Sequence, residues 1–127
     1  MPNSVIVLIG RILLSIMFIL AGFGKLTNIA GTAGYFASYN LPMPTATAVI
    51  IGLVELVGGL AILIGFQTRI AAWVLAIFSV AAALVAHMNW ADVMQLINFQ
   101  KNLAIAGGFL VLASFGPGAY SVDARRG

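Results

Sequence analysis

Residues 5–24 make an apolar run whose only charge is Arg11, and three further runs follow over residues 46–66, 70–88 and 101–115. At ~1.5 Å of helix per residue the first two are each long enough to cross a ~30 Å hydrocarbon layer, and the others are shorter but comparably apolar. Soluble domains carry about 25% charged residues. This chain of 127 residues carries 7%, against 62% hydrophobic residues, which leaves too little polar surface to wrap such a core in water. Lipid must solvate it. Backbone polar groups inside a bilayer have to be satisfied within the protein, so the runs are expected to be helices. The fold class is then an all-α membrane protein, an antiparallel four-helix transmembrane bundle forming one domain over residues 1–127.

The connections add detail. Residues 25–45 are too long and too patterned for a plain turn, because Tyr35, Phe36 and Tyr39 recur at near-helical spacing ahead of Leu41-Pro42-Met43-Pro44. That predicts a short interfacial helix between the first and second spans, its tyrosines at headgroup depth and the prolines as its stop. Gly65 to Arg69 reads as a tight turn and residues 89–100 as a third connection with Trp90 as an interface anchor. Gly116-Pro117-Gly118 closes the last helix before a polar tail. The first run fits a cleaved signal poorly, since no Lys or Arg precedes Val5 and Arg11 interrupts it. Arg69, Arg125 and Arg126 fall on one side of a four-span chain, and Lys25 and Lys101 on the other. The positive-inside rule then puts both termini in the cytoplasm.

What is missing narrows the chemistry. There is no cysteine, so disulfides, thiolate nucleophiles and iron–sulfur ligation drop out. His87 is the single histidine, which leaves one copy of the chain without a pair of imidazole ligands, and no metal site is expected. Six basic residues are scattered with no run that would grip nucleic acid. Any redox role must use a borrowed cofactor.

Charges inside apolar runs are costly, and they point to the interior. Arg11, Ser15, Phe18, Gly22 and Lys25 share one face of the first helix; Ala48, Gly52, Glu55 and Gly59 share one face of the second, a small-residue seam with a carboxylate in it. By helical rise, Glu55 lies within about 2 Å of its run's centre and Arg11 roughly 5 Å from its own. An Arg11–Glu55 ion pair is therefore expected, serving either as a lock on the fold or as a binding or proton site. His87, Lys25, Lys101 and Asn102 are expected at the opposite membrane boundary, where they could meet a quinone carbonyl, a carboxylate or an oxyanion. The competing reading is that the two lysines snorkel to the headgroups and that His87 caps its helix end.

The strings RILLSIMFILAGFGKL, LPMP, ELVGGLAILIGFQTR, KNLAIAGGFL and GPGAYSVD, in that order over nearly the whole chain, resemble the DoxX family of small bacterial four-helix membrane proteins. The resemblance implies a bacterial plasma (inner) membrane setting and a role beside a quinone-linked oxidoreductase. It puts Arg11, Lys25, Glu55, Arg69, His87, Lys101 and Asn102 at the family's recurrent polar positions. The expected function is an accessory subunit of such an oxidoreductase, with redox-enzyme subunits or further copies of the chain as partners and quinone as the borrowed cofactor. A small proton-coupled transporter and a non-catalytic membrane scaffold are the alternatives, and whether the chain is an enzyme stays open.

Overall fold

Met43 and Pro44 show how the sequence sets an element boundary here. Met43 adopts a left-handed backbone (φ 46°), and Pro44 takes the first position of the next helix, where its missing N–H costs nothing. The structure, a computed structural model, describes residues 2–126; Met1 and Gly127, the ends of the expected domain, lie outside the described residues. The helices are α1 (Pro2–Thr27), α2 (Ile29–Ser38), α3 (Pro44–Ile64), α4 (Thr68–Ala86), α5 (Val93–Phe115) and α6 (Val122–Arg126), with no strand among the described residues. Four of them, α1, α3, α4 and α5, are long and apolar enough to cross a membrane. The chain is all-α and its spans form the expected four-helix bundle.

Two intimate pairs, α1 with α3 and α4 with α5, make up the bundle, and α2 lies mainly against α3. Glycine sets the first pair. A Cβ on Gly22 would sit 2.5 Å from the Leu56 backbone nitrogen and 2.7 Å from the Gly52 carbonyl oxygen, so only a hydrogen fits there. Gly59 faces Ile19, and Gly52 faces Leu26 and Lys25, so numbers rise on α1 as they fall on α3. The pair is antiparallel. Phe18, Ile62, Leu75, Phe109 and Leu112 form the shared core, with Phe18 and Phe109 edge-to-face at 5.4 Å.

The turn after α3 needs Gly65. Its φ of 71° is left-handed, and the Gly65 and Phe66 N–H groups return to the Ile62 and Ala61 carbonyls at 3.3 and 2.9 Å, closing a Schellman cap. Asp123 of α6 then accepts from the Gln67 and Thr68 N–H groups, both at 2.8 Å, and so caps α4 from across the fold. Burial opposes that carboxylate's charge, yet the hydrogen bonds from Thr68 and Gln67 and nearby Arg126 outweigh it and hold the carboxyl below its usual range.

Several boundaries differ from expectation. The last span begins at Val93 rather than near Lys101, because Asp92 caps it by accepting from the Met94 N–H at 3.0 Å and its polar first turns continue the helix. Lys101 and Asn102 are therefore mid-helix. The other spans shift by a few residues, and α1 reaches Pro2 and Thr27. A short helix does follow the first span, opened by Asn28, whose side chain accepts from the Gly31 N–H at 3.3 Å. The polar tail contains α6.

Candidate functional site

Arg11 is 1% exposed and does not meet Glu55. Its Nε donates to the Ile62 carbonyl at 3.0 Å and its Nη2 to the Leu63 carbonyl at 2.8 Å. Its Nη1 donates to the Pro117 and Tyr120 carbonyls at 2.7 and 2.8 Å. The expected Arg11–Glu55 pair is thus corrected. The two helices do not align by the centres of their runs: Gly22 opposes Leu56 and Ile19 opposes Gly59, so Arg11 and Glu55 are separated by about twelve residues, or ~18 Å, along the pair. Arg11 instead satisfies the last carbonyls of α3, which have no partner within their own helix and carry the negative end of its dipole. Arg69 does the same for α5, with Nη1 donating to the Ala113 and Ser114 carbonyls, both at 2.7 Å.

Glu55 pairs with Lys25. The Lys25 Nζ lies 2.7 Å from Glu55 Oε1, with the lysine side chain 24% and the glutamate 7% exposed. Both seams anticipated from spacing supply these residues: Lys25 comes one turn beyond Gly22 on α1, and Glu55 lies between Gly52 and Gly59 on α3. The register brings Lys25 beside Glu55, where the two charges compensate each other.

Lys25 and Glu55 form part of the wall of a cavity of about 420 Å³ bounded by α1, α2, α3 and α4, with Asn102 contributed by α5. Phe18, Phe36, Phe78, Tyr35 and Tyr39 supply its aromatic lining, and the two tyrosine hydroxyls with Thr47, Ser79 and His87 its remaining polar groups. Phe18 and Phe78 meet edge-on at 6.3 Å. His87 is the C-cap of α4: its backbone N–H donates to the Ala83 carbonyl at 3.0 Å, and its own carbonyl accepts from the Trp90 Nε1 at 3.0 Å. The His87 Nδ1 is buried and has no hydrogen-bond partner among the described residues. On α2, the Tyr35 hydroxyl donates to the Tyr39 hydroxyl at 3.3 Å; that bond, with burial, pushes the Tyr35 phenol up to about 12. Tyr35 is thus neutral at any physiological pH.

Of the expected cluster, Lys25, His87 and Asn102 share the cavity, and Glu55 joins them. Lys101 does not line it; it is exposed on α5. Arg11 lies about four turns before Lys25 on α1, in its carbonyl clamp at the C-terminal end of α3. Ser79 and Thr47 went unnoticed in the sequence, although Ser79, a hydroxyl within an apolar run, carried a signal. No group of three or more His, Asp or Glu that could hold a metal occurs among the described residues.

The family model for DoxX matches residues 6–88, a stretch that includes α1 from Ile6, α2, α3, α4 and the cavity's His87. The chain belongs to the DoxX family. Two Escherichia coli (strain K12) DoxX relatives match along almost their whole length. Inner membrane protein YqjF is 49% identical over 92% of this chain and 88% of its own. Inner membrane protein YphA is 40% identical over 97% of this chain and 91% of its own. A Bacillus subtilis (strain 168) relative bearing the name "Putative oxidoreductase CatD" is 30% identical over 62% of this chain and 58% of its own. No solved structure matches. Like its E. coli relatives, this DoxX protein is an integral inner-membrane protein, in contact with the lipid bilayer along its four spans.

Proposed function

We propose that this DoxX protein is an accessory subunit of a quinone-linked oxidoreductase, and that its cavity holds the head of a quinone or a similar small amphipathic molecule. The observation that carries the reading is the Lys25–Glu55 pair, held at 2.7 Å in the wall of a cavity of about 420 Å³ that is otherwise mostly aromatic and aliphatic. Ligand sites characteristically have such a volume, roughly 300–1,000 Å³, with apolar walls and a few placed polar groups. A buried ion pair is a poor source of stability. The Lys25 ammonium keeps donors beyond those it gives Glu55, which a quinone carbonyl could accept, and Phe18 and Phe78 offer flat surfaces to a ring. The name of the B. subtilis relative supports the redox setting. The cation distribution supports both termini in the cytoplasm.

Binding of a short-chain quinone to the protein in lipid nanodiscs, followed by equilibrium dialysis, tests the reading. Saturable binding is expected for the wild type, with a loss of more than about tenfold when Ala82, which lines the cavity, becomes tryptophan. Unchanged binding by Ala82→Trp would place the quinone elsewhere and end the proposal. The position of Glu55 near the middle of α3 favours a second reading, proton-coupled transport. Substrate-driven acidification of proteoliposomes distinguishes the two.

A further inference from the structure

The chain's formal net charge is +3, and the fold puts all of it in one half of the bundle. Arg11, Arg69, Arg125 and Arg126 gather around the α3–α4 turn with Asp123 as the one acid, whereas Lys25 and Lys101 share the other half with Glu55 and Asp92. Arg11 is buried and spent on carbonyls. The other three arginines are exposed, and no carboxylate pairs with them. Lys25 with Glu55 is the only salt bridge among the described residues, and both Asp123 oxygens are taken up by the Gln67 and Thr68 N–H groups. Arg69 meets only the Ala113 and Ser114 carbonyls, and the Arg126 guanidinium lies 5.3 Å above the Phe66 ring.

The same fold sets the depth of these cations. α6 docks on the turn between two spans, the Asp123 N–H donating to the Gly65 carbonyl at 2.9 Å, so the arginines stand where α3 ends and α4 begins. Phe66, Phe115 and Tyr120, which are 41%, 82% and 54% exposed, lie at that level too. Exposed aromatics and cations at the ends of spans mark the depth of lipid headgroups. Unpaired cations there attract anionic heads, while a zwitterionic head brings a cation of its own and compensates them less. We propose that this half of the protein is a binding surface for anionic phospholipid, whose headgroups gather at Arg125 and Arg126 of α6 and at Arg69 of α4. The surface is separate from the cavity and does not depend on what the cavity holds.

The two tryptophans are placed to read it. Trp73 lies one turn beyond Arg69 on α4 and is 54% exposed, whereas Trp90 lies past the far end of α4 and is 48% exposed. Trp90→Phe leaves Trp73 as the sole reporter, and Trp73→Phe leaves Trp90. Each variant is placed in vesicles of equal parts phosphatidylglycerol and phosphatidylcholine, with quenching bromines on the chains of one lipid or the other. Quenching of Trp73 is expected to show phosphatidylglycerol enriched about fivefold beside it, the effect of one engaged arginine, and quenching of Trp90 to show no enrichment. Adding Arg125→Gln and Arg126→Gln, which alter only exposed side chains, should cut the enrichment at Trp73 to about twofold or less. Equal quenching of Trp73 by both brominated lipids overturns the inference, as does an equal enrichment at Trp90 or one that the arginine variant keeps undiminished. If Trp90→Phe does not fold, the difference between the wild type and Trp73→Phe supplies the Trp73 signal.

Discussion

Replacing Arg11 with methionine keeps most of the side-chain volume and removes every donor from a site that is 1% exposed. Four carbonyls lose a partner: Ile62 and Leu63 at the end of α3, and Pro117 and Tyr120 after α5. Side-chain hydrogen bonds between membrane helices average ~0.6 kcal/mol each, so four give a floor of ~2.4 kcal/mol. Breaking a buried, charge-assisted network sets a ceiling of about 5 kcal/mol. The expected loss therefore lies at about 2–5 kcal/mol. Arg11→Lys should recover only part of it, since an ammonium is a compact point charge and cannot fork toward acceptors on two segments. Reversible denaturant titration in mixed micelles, followed by far-UV circular dichroism, measures both. The double variant Arg11→Met/Glu55→Gln adds a control: with no contact between the two residues, their effects should add to within ~0.5 kcal/mol. A loss below about 1 kcal/mol for Arg11→Met, or a coupling above that figure, would refute the clamp.

Two further outcomes are expected. Gly22→Ala should force α1 away from α3 at a cost of about 1–3 kcal/mol, because backbone atoms lie 2.5 and 2.7 Å from the new methyl group, whereas Gly24→Ala meets nothing within 4 Å and should be neutral or slightly stabilising; thermal unfolding in micelles compares the two. Asp123→Ala removes the cap on α4 and should cost about 0.5–2 kcal/mol at pH 7. Because the folded-state carboxyl titrates below its usual range, that contribution is present in full above the unfolded pKa and disappears as the pH falls through the lowered folded value; the gap between wild type and variant should therefore close in acid, and a gap that persists there contradicts the assignment.

What the sequence disclosed was a matter of what each signal encodes. Long apolar runs encode spans directly, and the Gly22 and Gly52 faces encode close approach, so the bundle and its α1–α3 seam were readable. Relative register is encoded only by small residues meeting across the seam, not by the centres of the runs, and that register gives Glu55 Lys25 as its cation rather than Arg11. The start of α5 was hidden because Asp92 and the polar residues after it look the same in a loop as at a capped helix end. The expectation that Lys25, His87 and Asn102 meet rested on Asn102 opening the last span, whereas α5 begins at Val93 and brings Asn102 to the cavity from mid-helix; Lys101, one position before it, lies on a different face of α5, a difference of about 100° per residue that depth alone does not resolve.

All four acceptors of Arg11 are main-chain oxygens. Any amino acid that preserves the backbone path at positions 62, 63, 117 and 120 offers the same acceptors, so the clamp itself makes no demand on the side chains there, although core packing does at Ile62. Pairwise substitution patterns would then carry no trace of the tie between the beginning and the end of this chain. It is a contact with one constrained partner, invisible to any method that looks for two.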